Sequence, residues 1–142
     1  MTPVHVDRIL EDGEVLRIGN NALTVVATPG HTADGTSWTW QRCEDGRCET
    51  IAYIDSMTAI SAEGYRFSDH PERIAPFHST FERVAALDCD LLITPHPSVS
   101  DLFARLSGEA PLRDPQACRN LANTMQERLH TRLAEEAATG SP

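Results

Sequence analysis

Lysine is absent from this chain: all twelve basic side chains are arginine, dispersed among 21 acidic residues, for a net charge of −9. That balance argues against nucleic acid or an anionic membrane surface as a partner, because both demand neutralisation of phosphate. A small anionic substrate stays open, since a few local donors hold a carboxylate even on an acidic protein. Long apolar runs are missing too. Runs such as Val25-Val26-Ala27 and Leu91-Leu92-Ile93 fall far short of the ~20 residues a spanning helix needs. The opening residues, Met1-Thr2-Pro3-Val4-His5-Val6-Asp7, have no cationic stretch followed by an apolar core, so no secretory signal is read there. No Cys-x-x-Cys pair occurs, which removes the usual zinc-knuckle and redox spacings.

With 142 residues, 40% of them apolar, the chain is sized for one domain with a real core. Its pattern runs from strands to helices. Residues 14–18 and 23–28 flank Gly19-Asn20-Asn21 and read as a hairpin. Residues 36–41 alternate Trp38 and Trp40 with Ser37, Thr39 and Gln41, the period-2 mark of a strand with one buried face. Residues 50–54 return from an Asp-Gly turn and end at Asp55-Ser56, before a loop of functional length reaching about Pro71. Ile74, Phe77, Phe81, Val84 and Leu87 recur at helical steps, with Pro76 expected to hold the start near Ala75. Residues 91–94 read as a buried strand, Ser100-Asp101 as a cap for a short helix, and Asp114-Pro115 as the start of a long one. That last helix carries Cys118, Leu121, Met125, Leu129 and Leu133 on one face and runs to about Ala138.

Of the four cysteines, Cys43 and Cys48 flank the Asp-Gly turn, so a hairpin brings them face to face and leaves Cys89 and Cys118 as a second pair. Two bridges imply an oxidising compartment; the alternative is four buried free thiols. His31 and His96 each sit in a turn just after a strand-like run, in Pro29-Gly30-His31-Thr32 and Pro95-His96-Pro97. The carboxyl ends of strands are where open α/β sheets collect ligands, and imidazole is the commonest neutral zinc ligand. The placement suggests a metal hydrolase site, against the plainer reading of two hydrogen-bonded loop histidines. His5, His70, His78 and His130 read as solvated or structural.

These segments occur as an ordered set: Pro29-Gly30-His31-Thr32 with Gly35, then Ile51-Ala52-Tyr53-Ile54-Asp55-Ser56-Met57-Thr58, then Gly64-Tyr65-Arg66. Asp88-Cys89-Asp90-Leu91-Leu92-Ile93-Thr94-Pro95-His96-Pro97 and Ala117-Cys118-Arg119 complete it. The series resembles the carboxy-terminal half of the subclass B3 metallo-β-lactamases, from about Asp7 to Glu136. The resemblance implies an α/β fold, the αββα sandwich of two related halves. Only the second half is expected here, a mixed β-sheet with covering helices forming one partial domain over residues 1–142. It further implies a pair of zinc ions at one edge of the sandwich, with His31 resembling the third ligand to the first ion and His96 the ligand completing the second. Ser56 and Thr58 resemble the hydroxyls that hold water or the substrate carboxylate. Bridges Cys43–Cys48 and Cys89–Cys118 fit disulfides of that subclass.

By resemblance, the expected activity is zinc-dependent hydrolysis of the β-lactam amide bond, with antibiotic resistance as its consequence and a periplasmic or secreted location. Two zinc ions would lower the pKa of a shared water and polarise the lactam carbonyl, so no side-chain nucleophile is needed. The family's first half carries a His-x-His-x-Asp-His motif that this sequence lacks, His5 being the sole histidine before His31. One imidazole per ion is short of the usual catalytic shell, so the isolated chain is expected to be inactive. The apolar sheet face that the other half covers is expected to invite self-association. Two other readings stand beside this one: a thioester or phosphoester hydrolase of the same superfamily, with Asp55 bridging both metals, and a metal-free, disulfide-stapled binding module.

Overall fold

The structure, a computed structural model, describes residues 5–140, so the reading of Met1–Val4 as free of a secretory signal lies outside the described residues. Among the described residues, five strands form one mixed sheet in the order β1 (Val15–Ile18), β2 (Asn21–Ala27), β3 (Thr36–Glu44), β4 (Arg47–Tyr53) and β5 (Leu91–Ile93). The first four are antiparallel neighbours, and β5 joins β4 in parallel. A parallel partner needs a crossover. That crossover comprises a long loop, a 3-10 turn at Phe67–Asp69 and helix α1 (Pro71–Ala85). Helices α2 (Leu102–Ser107) and α3 (Ala117–Ala138) follow β5.

Both expected hairpins form. The β3–β4 turn places Asp45 at φ 50° and Gly46 at φ 77°, the left-handed pair that matches strand twist in a two-residue connection. It sets Cys43 directly opposite Cys48, and the two are disulfide-bonded. The second bridge, Cys89–Cys118, ties the start of β5 to the first turn of α3.

One sheet face is covered. Ala52, Ile54 and Leu92 share a core with Phe77, Phe81 and Val84 of α1 and with Leu121, Ala122, Met125 and Leu129 of α3. Side chains alternate across a strand, so Trp38, Trp40, Ile51, Tyr53, Leu91 and Ile93 fall on the opposite face, where each is only half-buried. The one buried face read for β3 is therefore the Ser37 face, fully buried, and the tryptophans lie on the face expected to be left uncovered. Alternation reveals the period of a strand but not which phase faces the core.

Two helix starts and one cap differ from expectation. Helix α1 begins at Pro71 rather than near Ala75 and carries Pro76 inside it. Proline is pre-set for a first helical position, and one lost intrahelical bond at Pro76 is outweighed by burial of Phe77, Phe81 and Val84 beyond it. Asp101 stands at the start of α2 but in a left-handed conformation with no side-chain capping bond. Asp114 accepts the Gln116 N–H at 2.9 Å, so its turn precedes α3, which starts at Ala117.

Candidate functional site

The strand directions decide where the loops meet. β2 and β4 both run antiparallel to β3, and β5 runs parallel to β4. Their carboxyl ends therefore lie along one rim, which carries His31 after β2, residues 55–58 after β4 and His96 after β5.

The His31 turn is tightly built. Thr28 donates its N–H to the Gly35 carbonyl at 2.7 Å and Gly30 donates to the Thr32 carbonyl at 2.9 Å, closing the loop at two levels. The Thr80 hydroxyl of α1 donates to the Pro29 carbonyl at 2.6 Å. Gly30 sits at φ 140°, and a Cβ there would lie 2.8 Å from the Phe77 ring, so neither the backbone nor the space admits a side chain. Thr28 and Ser37, both buried, share a hydroxyl contact at 2.9 Å, and Ser37 in turn accepts the Asp55 N–H at 2.9 Å. One buried serine thus couples the ends of β2 and β4.

The exposed His31 ring has a defined orientation. Its Nδ1 lies 2.7 Å from the Thr58 carbonyl, which only accepts, so Nδ1 carries the proton and the neutral ring presents its lone pair at Nε2. Such a carbonyl contact behind an imidazole orients metal ligands. The Thr58 hydroxyl lies 3.3 Å from the same Nδ1 and 3.0 Å from the Ser56 hydroxyl, and the Asp55 carboxylate accepts the Ser56 N–H at 2.8 Å.

His96 borders a small cleft that it shares with Asp55, Ser56, Met57 and Thr58, floored by Leu121 and Met125 of α3. The residues read from the sequence as metal ligands and substrate hydroxyls thus line one continuous segment of rim: His31 touches Thr58, and Thr58 and His96 face the same cleft. Among the described residues, no three His, Cys, Asp or Glu side chains form a group able to hold a metal ion. His70 stacks on Tyr65 at 4.7 Å, His5, His78 and His130 are exposed, and none of the four lines the His96 cleft.

The segment carrying Ser56 and Thr58 is strapped from below. Arg132 of α3 donates to the carbonyls of Ala59 and Tyr65 and to the Ser61 hydroxyl, with its guanidinium 4.6 Å above the Phe67 ring. Its Nε donates to Glu136 at 2.9 Å, and the Ser68 N–H donates to the same carboxylate at 2.8 Å. Burial opposes ionisation of Glu136, but hydrogen bonds from Ser68, Arg132 and the Phe67 N–H outweigh it and hold the pKa at about 2. Sequence reasoning did not find the Thr58 carbonyl, Ser37, Thr80 or Arg132. Arg132, recurring four residues before Glu136 near the end of a helix, left the one usable signal.

No family model matches the chain. Solved structures do. Metallo-β-lactamase MIM-1 from Novosphingobium pentaromativorans is 51% identical with TM-score 0.92, over 98% of this chain and 51% of that one. MEM-A1, a subclass B3 metallo-β-lactamase from a soil metagenome library, is 41% identical with TM-score 0.89, over 99% of this chain and 56% of that one. The chain belongs to the subclass B3 metallo-β-lactamases. SMB-1, solved with bound 2-mercaptoethanesulfonate, agrees at 46% identity and TM-score 0.85, covering 91% of this chain and 52% of its own. The chain spans about half the length of these metallo-β-lactamases and corresponds to their carboxy-terminal half. Its sheet and helices match the metallo-β-lactamase fold as a partial domain. No helix among the described residues is long and apolar enough to cross a membrane, and the two disulfides are compatible with an extracytoplasmic protein.

Proposed function

We propose that this chain is one partial domain over residues 1–142, the carboxy-terminal half of a zinc-dependent β-lactam hydrolase that works in the periplasm or outside the cell and confers antibiotic resistance. His31 and His96 each supply one imidazole to a different zinc ion, and Ser56 and Thr58 supply the hydroxyls that hold water or the substrate carboxylate. The observation that carries this reading is the shared rim: His31 fixed through Nδ1 on Thr58, with Thr58 and His96 lining one cleft.

Tested against a zinc shell, the donors present do not suffice. His31 is oriented as a ligand should be, yet no group of three donors stands among the described residues, whereas catalytic zinc takes about three protein ligands. We therefore assign no hydrolytic step to this chain alone and propose that it is inactive until the remaining donors are supplied from outside it. Its half-buried face of Trp38, Trp40, Ile51, Tyr53, Leu91 and Ile93 is the surface against which a complementary sheet would pack, and without that sheet it drives self-association.

The test is reconstitution. Mixing this chain with a polypeptide spanning the other half of MIM-1 is expected to give nitrocefin hydrolysis that chelator abolishes and that His31→Ala or His96→Ala removes. A soluble, zinc-loaded complex that hydrolyses no β-lactam overturns the reading. Asp55 favours a second reading, since its carboxylate lines the same cleft as His96. If Asp55 bridges both metals in a thioester or phosphoester hydrolase, Asp55→Ala abolishes metal binding by the complex; the lactamase reading expects a much smaller loss.

A further inference from the structure

Arg105 of α2 is buried, 8% exposed, and among the described residues its guanidinium meets no carboxylate. A desolvated cation without a counterion is costly, and an aliphatic side chain of similar size would fill the site at less expense. What the guanidinium does instead is donate to four main-chain carbonyls. Its Nη1 donates to Leu92 at 2.8 Å and to Ser100 at 3.3 Å, Nε to Pro111 at 3.4 Å, and Nη2 to Leu112.

Two of those carbonyls bracket His96. Leu92 lies in β5, the last strand of the sheet; Ile93 turns its carbonyl to β4, accepting the Ile54 N–H, so alternation aims the Leu92 carbonyl at the open edge. Arg105 satisfies that edge where no strand does. Ser100 closes the far end of the loop, and its hydroxyl lies 2.9 Å from the buried Thr94 hydroxyl, which lies 2.9 Å from the His96 carbonyl. The His96 carbonyl also accepts the Val99 N–H at 2.9 Å.

We propose that Arg105 is a positioning residue for His96: one guanidinium nitrogen grips the chain immediately before and immediately after the loop that carries the imidazole, and so fixes the ring's direction. Its relevance to catalysis rests on the reading of His96 as a zinc ligand. The pinning itself does not. A guanidinium is suited to the task because its planar fork reaches several carbonyls at once from a preorganised geometry, which a lysine ammonium does not reproduce.

The test uses the isolated chain, nitrogen-15 labelled, with no metal and no β-lactam. In Arg105→Met, which keeps an apolar stem and removes every donor, the His96 ring signals are expected to shift or broaden and the Val99 amide to exchange roughly tenfold faster. The His31 signals are expected to stay in place. Arg105→Lys should recover part of the change. Native His96 signals and native Val99 exchange in folded Arg105→Met overturn the proposal, as does an equal displacement of His31, which would show a loss that is global. If Arg105→Met does not fold, Arg105→Lys decides alone: a displaced His96 beside an unmoved His31 supports the role, and a native His96 ends it. Failure of the reconstituted halves to hydrolyse β-lactams leaves this result untouched, so the two readings fail separately.

Discussion

Replacing Glu136 with glutamine removes one charge from the strap beneath the Ser56–Thr58 segment, and the structure dictates how the cost varies with pH. The carboxylate, 11% exposed, accepts from Arg132 at 2.9 Å and from the Ser68 N–H at 2.8 Å, and its pKa stands at about 2 against an ordinary 4.5. Because the folded pKa lies below the unfolded one, the stabilisation is complete above pH 4.5 and drains away as pH falls towards 2. Each unit of difference is worth about 1.4 kcal/mol, which sets an upper bound of about 3 kcal/mol for this group. Urea unfolding of the native chain and of Glu136→Gln, repeated from neutral pH downward, isolates the term as the gap between the two. The gap is expected to be widest at neutral pH, to begin closing near pH 4.5, and to fall below about 1 kcal/mol near pH 2. A gap that stays constant with pH would refute the reasoning, since a neutral packing loss has no proton linkage.

Removing the Cys89–Cys118 bridge, which closes a separation of 29 residues, should cost about 4 kcal/mol, against about 2 kcal/mol for Cys43–Cys48 with its separation of 5; unfolding free energies from denaturant titration, with m fitted separately for each variant, check the order. Trp40→Glu puts a charge on the uncovered sheet face, and sedimentation velocity is expected to show the native chain associating and the variant monomeric. A native chain that is already monomeric at high micromolar concentration removes that reason for the substitution. Added zinc is expected to leave the melting temperature of the isolated chain unchanged, because stabilisation by a ligand requires binding to the folded form; a dose-dependent rise would show that this chain completes a metal shell unaided.

Much of this site was legible because its signals are local. A proline and a glycine around His31, prolines on either side of His96, and an Asp-Gly pair between Cys43 and Cys48 dictate turn geometry within a few residues, and each turn stands where it was read. The illegible parts share a different property. The Thr58 carbonyl that orients His31 lies 27 residues away in sequence, and a main-chain acceptor has no side-chain signature. The four carbonyls around Arg105 are equally silent, so it reads in the sequence only as one of twelve dispersed arginines. Period alone was silent on a third point: alternation in β3 shows two faces but not which one the helices cover, and here they cover the Ser37 face and leave the tryptophans half-buried.

Gly35 joins the legible and the silent, and it yields the sharpest test of how the His31 loop is held. It lies in the motif read from the sequence, yet only the structure explains why glycine is required: a Cβ at that position would stand 2.3 Å from the Thr28 carbonyl oxygen, a main-chain atom that cannot swing aside. Gly35→Ala must therefore separate the two strands' ends and break the Thr28-to-Gly35 hydrogen bond of 2.7 Å. Overpacking costs about 1–3 kcal/mol and the lost bond about 1 kcal/mol more. Because that bond closes the base of the loop, the loss should reach His31, moving its ring signals away from their native positions while those of His96 stay fixed. Gly30→Ala presses instead on the Phe77 ring at 2.8 Å and should unsettle the core of α1 as well. If Gly35→Ala keeps native stability and native His31 signals, the closed turn is not what aims the imidazole, and the Thr58 carbonyl must hold it alone.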